Sequence, residues 1–252
     1  MLLRSPVIRR TVYYLFIIIT ITYIVYKTYD YYDEGYFNIF DSSDPIKRYN
    51  KYTYKTGDLI PVSGYKILQS VADPSSQKIH ELYTHLDGYN ELKDYFIFFP
   101  EEFYHITLTK LINNLSITDK QLEKLENEQD LLDKNNTQTK CIAKKLRFID
   151  KNEIRLEVEL KNDYIDGYLK HLRKRWDENF SELITEHCTS FYIPLAYQYK
   201  DIPNEYLLNR FNETLEQWHD IPFEIELNPI DICSYASLLN YDTILADVDE
   251  EI

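Results

Sequence analysis

The chain has 252 residues and a mass of 30.3 kDa, enough for one large domain or two small ones whose core needs no disulfide or metal. Its composition, 44% hydrophobic and 28% charged with 5 Gly and 9 Pro, excludes collagen-like, low-complexity and wholly disordered chains. The net charge is −14, and residues 201–252 contain 13 acidic residues and a single basic one. This acidic segment argues against binding to long nucleic acids, whereas the near-neutral remainder is compatible with a small phosphorylated ligand.

The N-terminus predicts an uncleaved transmembrane signal-anchor over residues 11–27. Residues 11–26 carry no charge, three arginines precede them, and the first acidic residues follow them. A span of this length covers about 24 Å, so flanking residues must extend it to cross a typical bilayer. The charge order places residues 1–10 in the cytosol and residues 30–252 in the ER or Golgi lumen or outside the cell. A mitochondrial membrane and a buried core helix are the alternatives.

The region after the span predicts a polar stem over 28–58, one α+β domain over 59–245 and an acidic tail over 246–252. Apolar and β-branched runs predict strands at 63–71, 95–100, 104–111, 144–149, 153–160, 188–199 and 223–227. Helical spacing predicts helices at 73–86, in the first part of 118–140, at 164–186 and at 203–218. In 153–160 apolar and charged residues alternate, which indicates a sheet with one face in solvent.

Sequons and cysteines add information about the compartment. Four N-x-S/T sequons, at Asn114, Asn135, Asn179 and Asn212, follow the predicted span and support a glycoprotein of the secretory pathway. The cysteines at 141, 188 and 233 form no CxxC and indicate no zinc site. We interpret them as buried apolar side chains, although one disulfide with one free thiol is also compatible with the sequence.

His105 is the histidine whose context suggests chemistry, because it lies in an apolar strand in the sequence Tyr104-His105-Ile106-Thr107-Leu108. The period of two in a strand places His105 and Thr107 on one face. An imidazole beside a hydroxyl can hold a phosphoryl group, since the ring moves a proton while the hydroxyl donates to a phosphoryl oxygen.

The surrounding sequence resembles the 2H phosphoesterase superfamily, which includes RNA ligase-like and cyclic phosphodiesterase-like proteins. The resemblance lies in GYKILQS, the following helix and PEEFYHITLTKL, and later in YIDGYLKHLRKRWDENF followed by FYIPLAYQY. It is closest to a fungal-type branch with the patterns G-Y-x-I and P-x-x-[FY]-H-[IM]-T. The resemblance covers roughly residues 60–240. It implies a two-lobed domain of antiparallel sheets.

The family chemistry implied by this resemblance uses two H-x-[ST] motifs, one from each lobe. One histidine takes a proton from the attacking oxygen, the other protonates the leaving oxygen, and no metal or organic cofactor is needed. Here Tyr192 and Pro194 replace the second histidine and hydroxyl. We therefore expect a cleft containing His105, Thr107, Tyr192 and Pro194, with Tyr104 and Tyr197 in its walls, and reduced or lost catalysis.

The sequence is also compatible with two other functions. The first is a non-catalytic binding module of the secretory pathway, whose protein partner is unknown. The second is a small type II glycosyltransferase, for which Asp247-Val248-Asp249 offers a D-x-D sequence that would hold a metal. The acidic composition of the tail argues that these aspartates are a solvated charge run instead.

Overall fold

The computed structural model describes residues 48–72, 77–88, 90–113, 116–135, 138–150, 152–161, 163–217 and 222–244. These residues belong to one compact unit, which spans 44–252. The predicted membrane span at 11–27, the stem up to residue 47, and the acidic tail with its D-x-D sequence lie outside the described residues. No helix within the described part of the chain has the length and apolar character needed to cross a membrane.

The fold is α+β, as the sequence predicts. The strands are β1 (Gly64–Ser70), β2 (Phe96–Phe98), β3 (His105–Leu111), β4 (Thr139–Ile149), β5 (Glu153–Leu160), β6 (Ile184–His187), β7 (Phe191–Gln198), β8 (Phe223–Leu227), β9 (Asp231–Ser237) and β10 (Asn240–Thr243). The helices are α1 (Gln77–Asp87), the single turn α2 (Asn90–Lys93), α3 (Asp119–Asn135), α4 (Lys170–Phe180) and α5 (Glu205–Glu216). A π-helical segment, Tyr164–Leu169, leads directly into α4.

The strands form two antiparallel sheets of five strands each. The first sheet, sheet A, has the order β10-β9-β1-β3-β6, and the second, sheet B, has the order β2-β7-β5-β4-β8. The sheets approach each other where β3 contacts β7. The backbone N–H of Cys188, just before β7, donates to the carbonyl oxygen of Leu108 in β3 at 3.0 Å. This junction brings the strands of the two predicted motifs side by side.

The helices cover the sheets with apolar faces spaced as their sequences predict. In α1, Ile79, Leu82 and Leu86 are buried at spacings of three and four. In α4, the buried Trp176 donates from Nε1 to the Glu128 carboxylate at 2.8 Å. Arg175 donates to the same carboxylate, at 2.5 Å from one of its terminal nitrogens. Glu128 is therefore a buried charge whose partners tie α3 to α4.

Several elements differ from the sequence prediction. The predicted helix 164–186 ends at Phe180, and its last residues form β6, which pairs with β3 and accommodates the β-branched Ile184 and Thr185. Strand β4 begins at Thr139, five residues before the predicted start, because Thr139–Ala143 pairs with β8. The sequence did not predict β9 and β10, which form one edge of sheet A beside β1.

Part of the predicted stem packs on sheet B. The side chain of Thr53 is fully buried and donates to the carbonyl oxygen of Gln198, at the end of β7, at 2.7 Å. Asn50 donates to the same oxygen at 2.7 Å. The Tyr52 ring stacks on Tyr197 with centroids 4.1 Å apart. The polar composition of this segment predicts a stem, but its polar side chains make hydrogen bonds to the folded domain.

Candidate ligand-binding site

A cavity of about 300 Å³ lies between sheets A and B, next to the contact of β3 with β7. Its wall contains five of the residues singled out from the sequence: His105, Thr107, Tyr192, Pro194 and Tyr197. Residues of both predicted motif positions therefore lie in the lining of one cavity. Tyr104 is not in this wall, because strand alternation turns it into the core, where 1% of its surface is exposed.

His105 is held as a neutral ring with a defined orientation. Its Nδ1 lies 2.8 Å from the carbonyl oxygen of Phe103, which can only accept, so Nδ1 carries the proton of the neutral imidazole. Burial lowers the pKa of His105 to about 3, repulsion from Lys66 adds to this, and the Phe103 hydrogen bond opposes it. The Nε2 lone pair is left for a ligand or water. A pKa so far below 7 makes the ring a weak base.

Thr107 supplies a hydroxyl one pleat further along the same wall. The residue is partly buried, and among the described residues its hydroxyl has no hydrogen-bond partner. A cavity-facing hydroxyl can donate to an oxygen of a bound group. His105 and Thr107 together thus offer one acceptor and one donor at one side of the cavity.

The second motif position presents an aromatic surface in place of acid–base groups. The guanidinium carbon of Arg155 lies 4.4 Å from the centroid of the Tyr192 ring. Burial raises the pKa of Tyr192, and the nearby Glu153 carboxylate raises it further, so the phenol stays neutral and does not act as a base. Pro194, opposite Arg155 in the β5–β7 pairing, has neither a hydroxyl nor an N–H to offer.

Sequence reasoning missed Lys66, which also lines the cavity. Its strand β1 pairs with β3, and Nζ donates to the phenol oxygen of Tyr241 at 3.1 Å. The Tyr241 ring in turn lies 4.8 Å from the His105 ring. Lys66 is a single charged residue in the otherwise uncharged strand GYKILQS, and this feature could have marked it in the sequence. Its tyrosine neighbours could not be recognised, because the sequence does not predict β9 and β10.

His187 lies on β6, outside the cavity lining, and takes part in a structural hydrogen-bond chain. Its Nδ1 lies 2.9 Å from Oγ1 of the buried Thr109, and its Nε2 lies 3.0 Å from a carboxylate oxygen of Asp177. Because Thr109 has no exposed surface, it is not accessible to a substrate. The chain instead joins β3, β6 and α4.

The remaining sequence candidates are distributed over the surface and the core. Asn135, Asn179 and Asn212 are exposed, whereas Asn114 lies outside the described residues. The three cysteines are free thiols and buried, as the sequence suggests. No group of three or more His, Cys, Asp or Glu residues with metal-binding geometry occurs in the described ranges.

Comparison with known proteins identifies the fold but no function. No family model matches the sequence, and no curated protein matches it. The fold is similar to the crystal structure of a conserved protein of unknown function, ATU0111, from Agrobacterium tumefaciens. The TM-score is 0.56 at 12% identity, covering 83% of this chain and 95% of that one. The structure of TT0787 from Thermus thermophilus gives a TM-score of 0.44 at 10% identity, covering 75% of this chain and all of that one.

Proposed function

We propose that this chain is a membrane-anchored 2H phosphoesterase-like protein whose cavity binds a small cyclic-phosphate or nucleotide-type ligand, with reduced or lost catalysis. The observation that carries the proposal is that the first motif, His105 and Thr107, and the second motif position, Tyr192 and Pro194, line one cavity from two different sheets. Two antiparallel sheets that both line the cavity support the two-lobed domain that the resemblance to the superfamily implies.

The composition of the two walls favours binding over turnover. A hydrolytic reaction by the family mechanism needs a base and an acid on opposite sides of the phosphorus atom. The wall from sheet A keeps an imidazole and a hydroxyl, whereas the wall from sheet B has a high-pKa phenol and a proline. Loss of one acid–base group typically lowers a rate by about 10² to 10⁴.

The test is hydrolysis and binding of a 2′,3′-cyclic nucleotide by the full chain in detergent, with EDTA present. We expect binding that weakens in His105→Ala and Thr107→Val, and turnover that is weak or absent in all three proteins. His80→Ala is the matched control, because His80 is an exposed histidine on α1 that lies 3.3 Å from Glu101. Binding that is absent, or unchanged in both cavity variants, would refute the proposed site.

The competing functions give different results in the same assays. A non-catalytic module for a protein partner would bind no cyclic nucleotide. A glycosyltransferase would need a divalent cation for sugar-nucleotide binding and would lose that binding in Asp249→Ala. For a lumenal domain, glycosidase treatment should increase the gel mobility of the wild type, and replacing the four sequon asparagines with Gln should abolish that change.

A further inference from the structure

Lys66 is a cation in the cavity wall without a carboxylate partner. Its Nζ donates to the Tyr241 hydroxyl and lies 4.4 Å from the Tyr241 ring centroid and 4.7 Å from that of Tyr235. No Asp or Glu of the described residues forms an ion pair with it. The charged or ionisable groups that influence it are Lys110 and the thiols of Cys188 and Cys233. The two tyrosines therefore hold the ammonium group without neutralising it.

The other ionisable groups around the cavity do not supply the missing negative charge. Glu186 lines the cavity, but its carboxylate is already bound to Lys110 at 2.6 Å. His105 is neutral at pH 7 because its pKa is lowered to about 3. The pKa of Lys66, lowered to about 8 by burial, still leaves the ammonium mostly charged at pH 7. Among the residues that the structure describes, the Lys66 ammonium is thus a positive charge of the cavity without a negative partner.

A desolvated cation without a counter-ion is costly to the protein alone and is stabilised when an anion binds. An ammonium has three N–H donors, and the Tyr241 hydroxyl occupies one of them. We infer that Lys66 binds the anionic phosphoryl group of the ligand, together with the Thr107 hydroxyl. This inference rests on the proposed function for the identity of the ligand, but it requires no turnover. The positive charge that the absent second histidine would provide then comes from Lys66 on β1, the strand next to β3 in sheet A.

The first experiment measures the accessibility of Lys66 directly in the full wild-type chain in detergent. Each lysine is acylated for a short time with an isotope-labelled anhydride and quantified by mass spectrometry. The reaction is run with inorganic phosphate, with a 2′,3′-cyclic nucleotide, with the corresponding uncharged nucleoside, and with chloride at matched ionic strength. We expect both phosphate compounds to lower Lys66 labelling about tenfold relative to chloride. Labelling of Lys78, a surface lysine on α1, should not change.

The outcomes separate this inference from the proposed function. Protection of Lys66 by phosphate without cyclic-nucleotide binding keeps the anion site and refutes the nucleotide-type ligand. Cyclic-nucleotide binding, detected by equilibrium dialysis, without protection of Lys66 by either anion overturns the inference and leaves the proposed function standing. If Lys66 is not protected and the cyclic nucleotide does not bind, both the inference and the proposed function are refuted.

Variants provide a second measurement. We expect Lys66→Met to weaken cyclic-nucleotide binding about 10- to 100-fold, which corresponds to losing one charge-assisted hydrogen bond, and to leave nucleoside binding unchanged. Lys66→Arg keeps the charge and should recover part of the loss. Lys78→Met is the matched control. An equal loss of nucleoside and nucleotide binding in Lys66→Met, with thermal unfolding as in the wild type, would show a shape effect and contradict anion binding by Lys66.

Discussion

Glu153, at the start of β5, gives the sharpest prediction about stability. The strand pattern of 153–160 places it on the solvent side, but it is 6% exposed, and its Oε1 atom is buried without a hydrogen-bond partner. Burial raises the pKa of Glu153 from 4.5 to about 7, although Arg155 and Lys51 act in the opposite direction. Ionising this carboxyl group in the folded protein is therefore costly.

The raised pKa of Glu153 makes the free energy of unfolding depend on pH. Because the folded pKa lies above the unfolded one, the folded state binds more protons between about pH 4.5 and pH 7, and stability falls as the pH rises through this range. The two pKa values correspond to a loss of about 2.5 kcal/mol between about pH 5 and about pH 8. The side chain of Glu153→Gln cannot ionise. The free energy of unfolding of this variant, relative to that of the wild type, should therefore rise by about 2.5 kcal/mol from about pH 5 to about pH 8.

The assay is urea unfolding followed by tryptophan fluorescence at several pH values from about 5 to about 8. Glu159→Gln is the matched control on the same strand, because Glu159 is exposed and pairs with Lys144 at the surface. Its relative stability should change by less than about 0.5 kcal/mol over that range. If the curves for Glu153→Gln and the wild type run parallel over that range, the carboxyl group is not desolvated and the reasoning fails.

Three further predictions concern the core and the cavity. Glu128→Ala leaves the arginine and tryptophan that it binds in α4 without an acceptor, so thermal unfolding should show a loss of about 3 kcal/mol, against little change in the exposed Glu123→Ala. The affinity for a cyclic phosphodiester, measured by equilibrium dialysis, should fall as the pH rises through about 8, because Lys66 loses its charge there while the ligand does not titrate. The affinity of Lys66→Arg should show no such fall. Tyr192→His combined with Pro194→Thr should increase cyclic-nucleotide hydrolysis at least about 10²-fold, and an unchanged rate would contradict the assignment of the second motif position.

The fold class and most elements were predictable because they depend on local periodicity. The spacing of Leu172 and Trp176 marked α4, and the apolar run around His105 marked β3. The sequence pattern predicts the residues of β6 as the end of a helix, because four residues have little periodicity of their own and this strand depends on pairing with β3. Strands β9 and β10 were missed because polar residues such as Ser234 and Asp242 interrupt their apolar pattern.

The candidate site was predictable only as far as its motifs. His105 and Thr107 are linked by strand period alone, so their common face followed from the sequence. Lys66 lines the cavity because of the register between β1 and β3, which places it opposite Lys110 and includes a bulge before Leu68. No local sequence pattern encodes this register. Non-local pairing of this kind also explains why Tyr241, 175 residues away, was not expected beside Lys66.

The distribution of chemistry between the two walls is the strongest argument about what this cavity does. Lys66, His105 and Thr107 all belong to sheet A, whereas sheet B contributes Pro194 and the rings of Tyr192 and Tyr197. In-line transfer at phosphorus needs groups that act on the attacking and leaving oxygens from opposite sides. A ligand held by its phosphoryl group on sheet A and by aromatic contacts on sheet B would be oriented tightly, yet protonated from one side only. This distribution supports the proposal that the site recognises an intact cyclic phosphate and does not hydrolyse it efficiently.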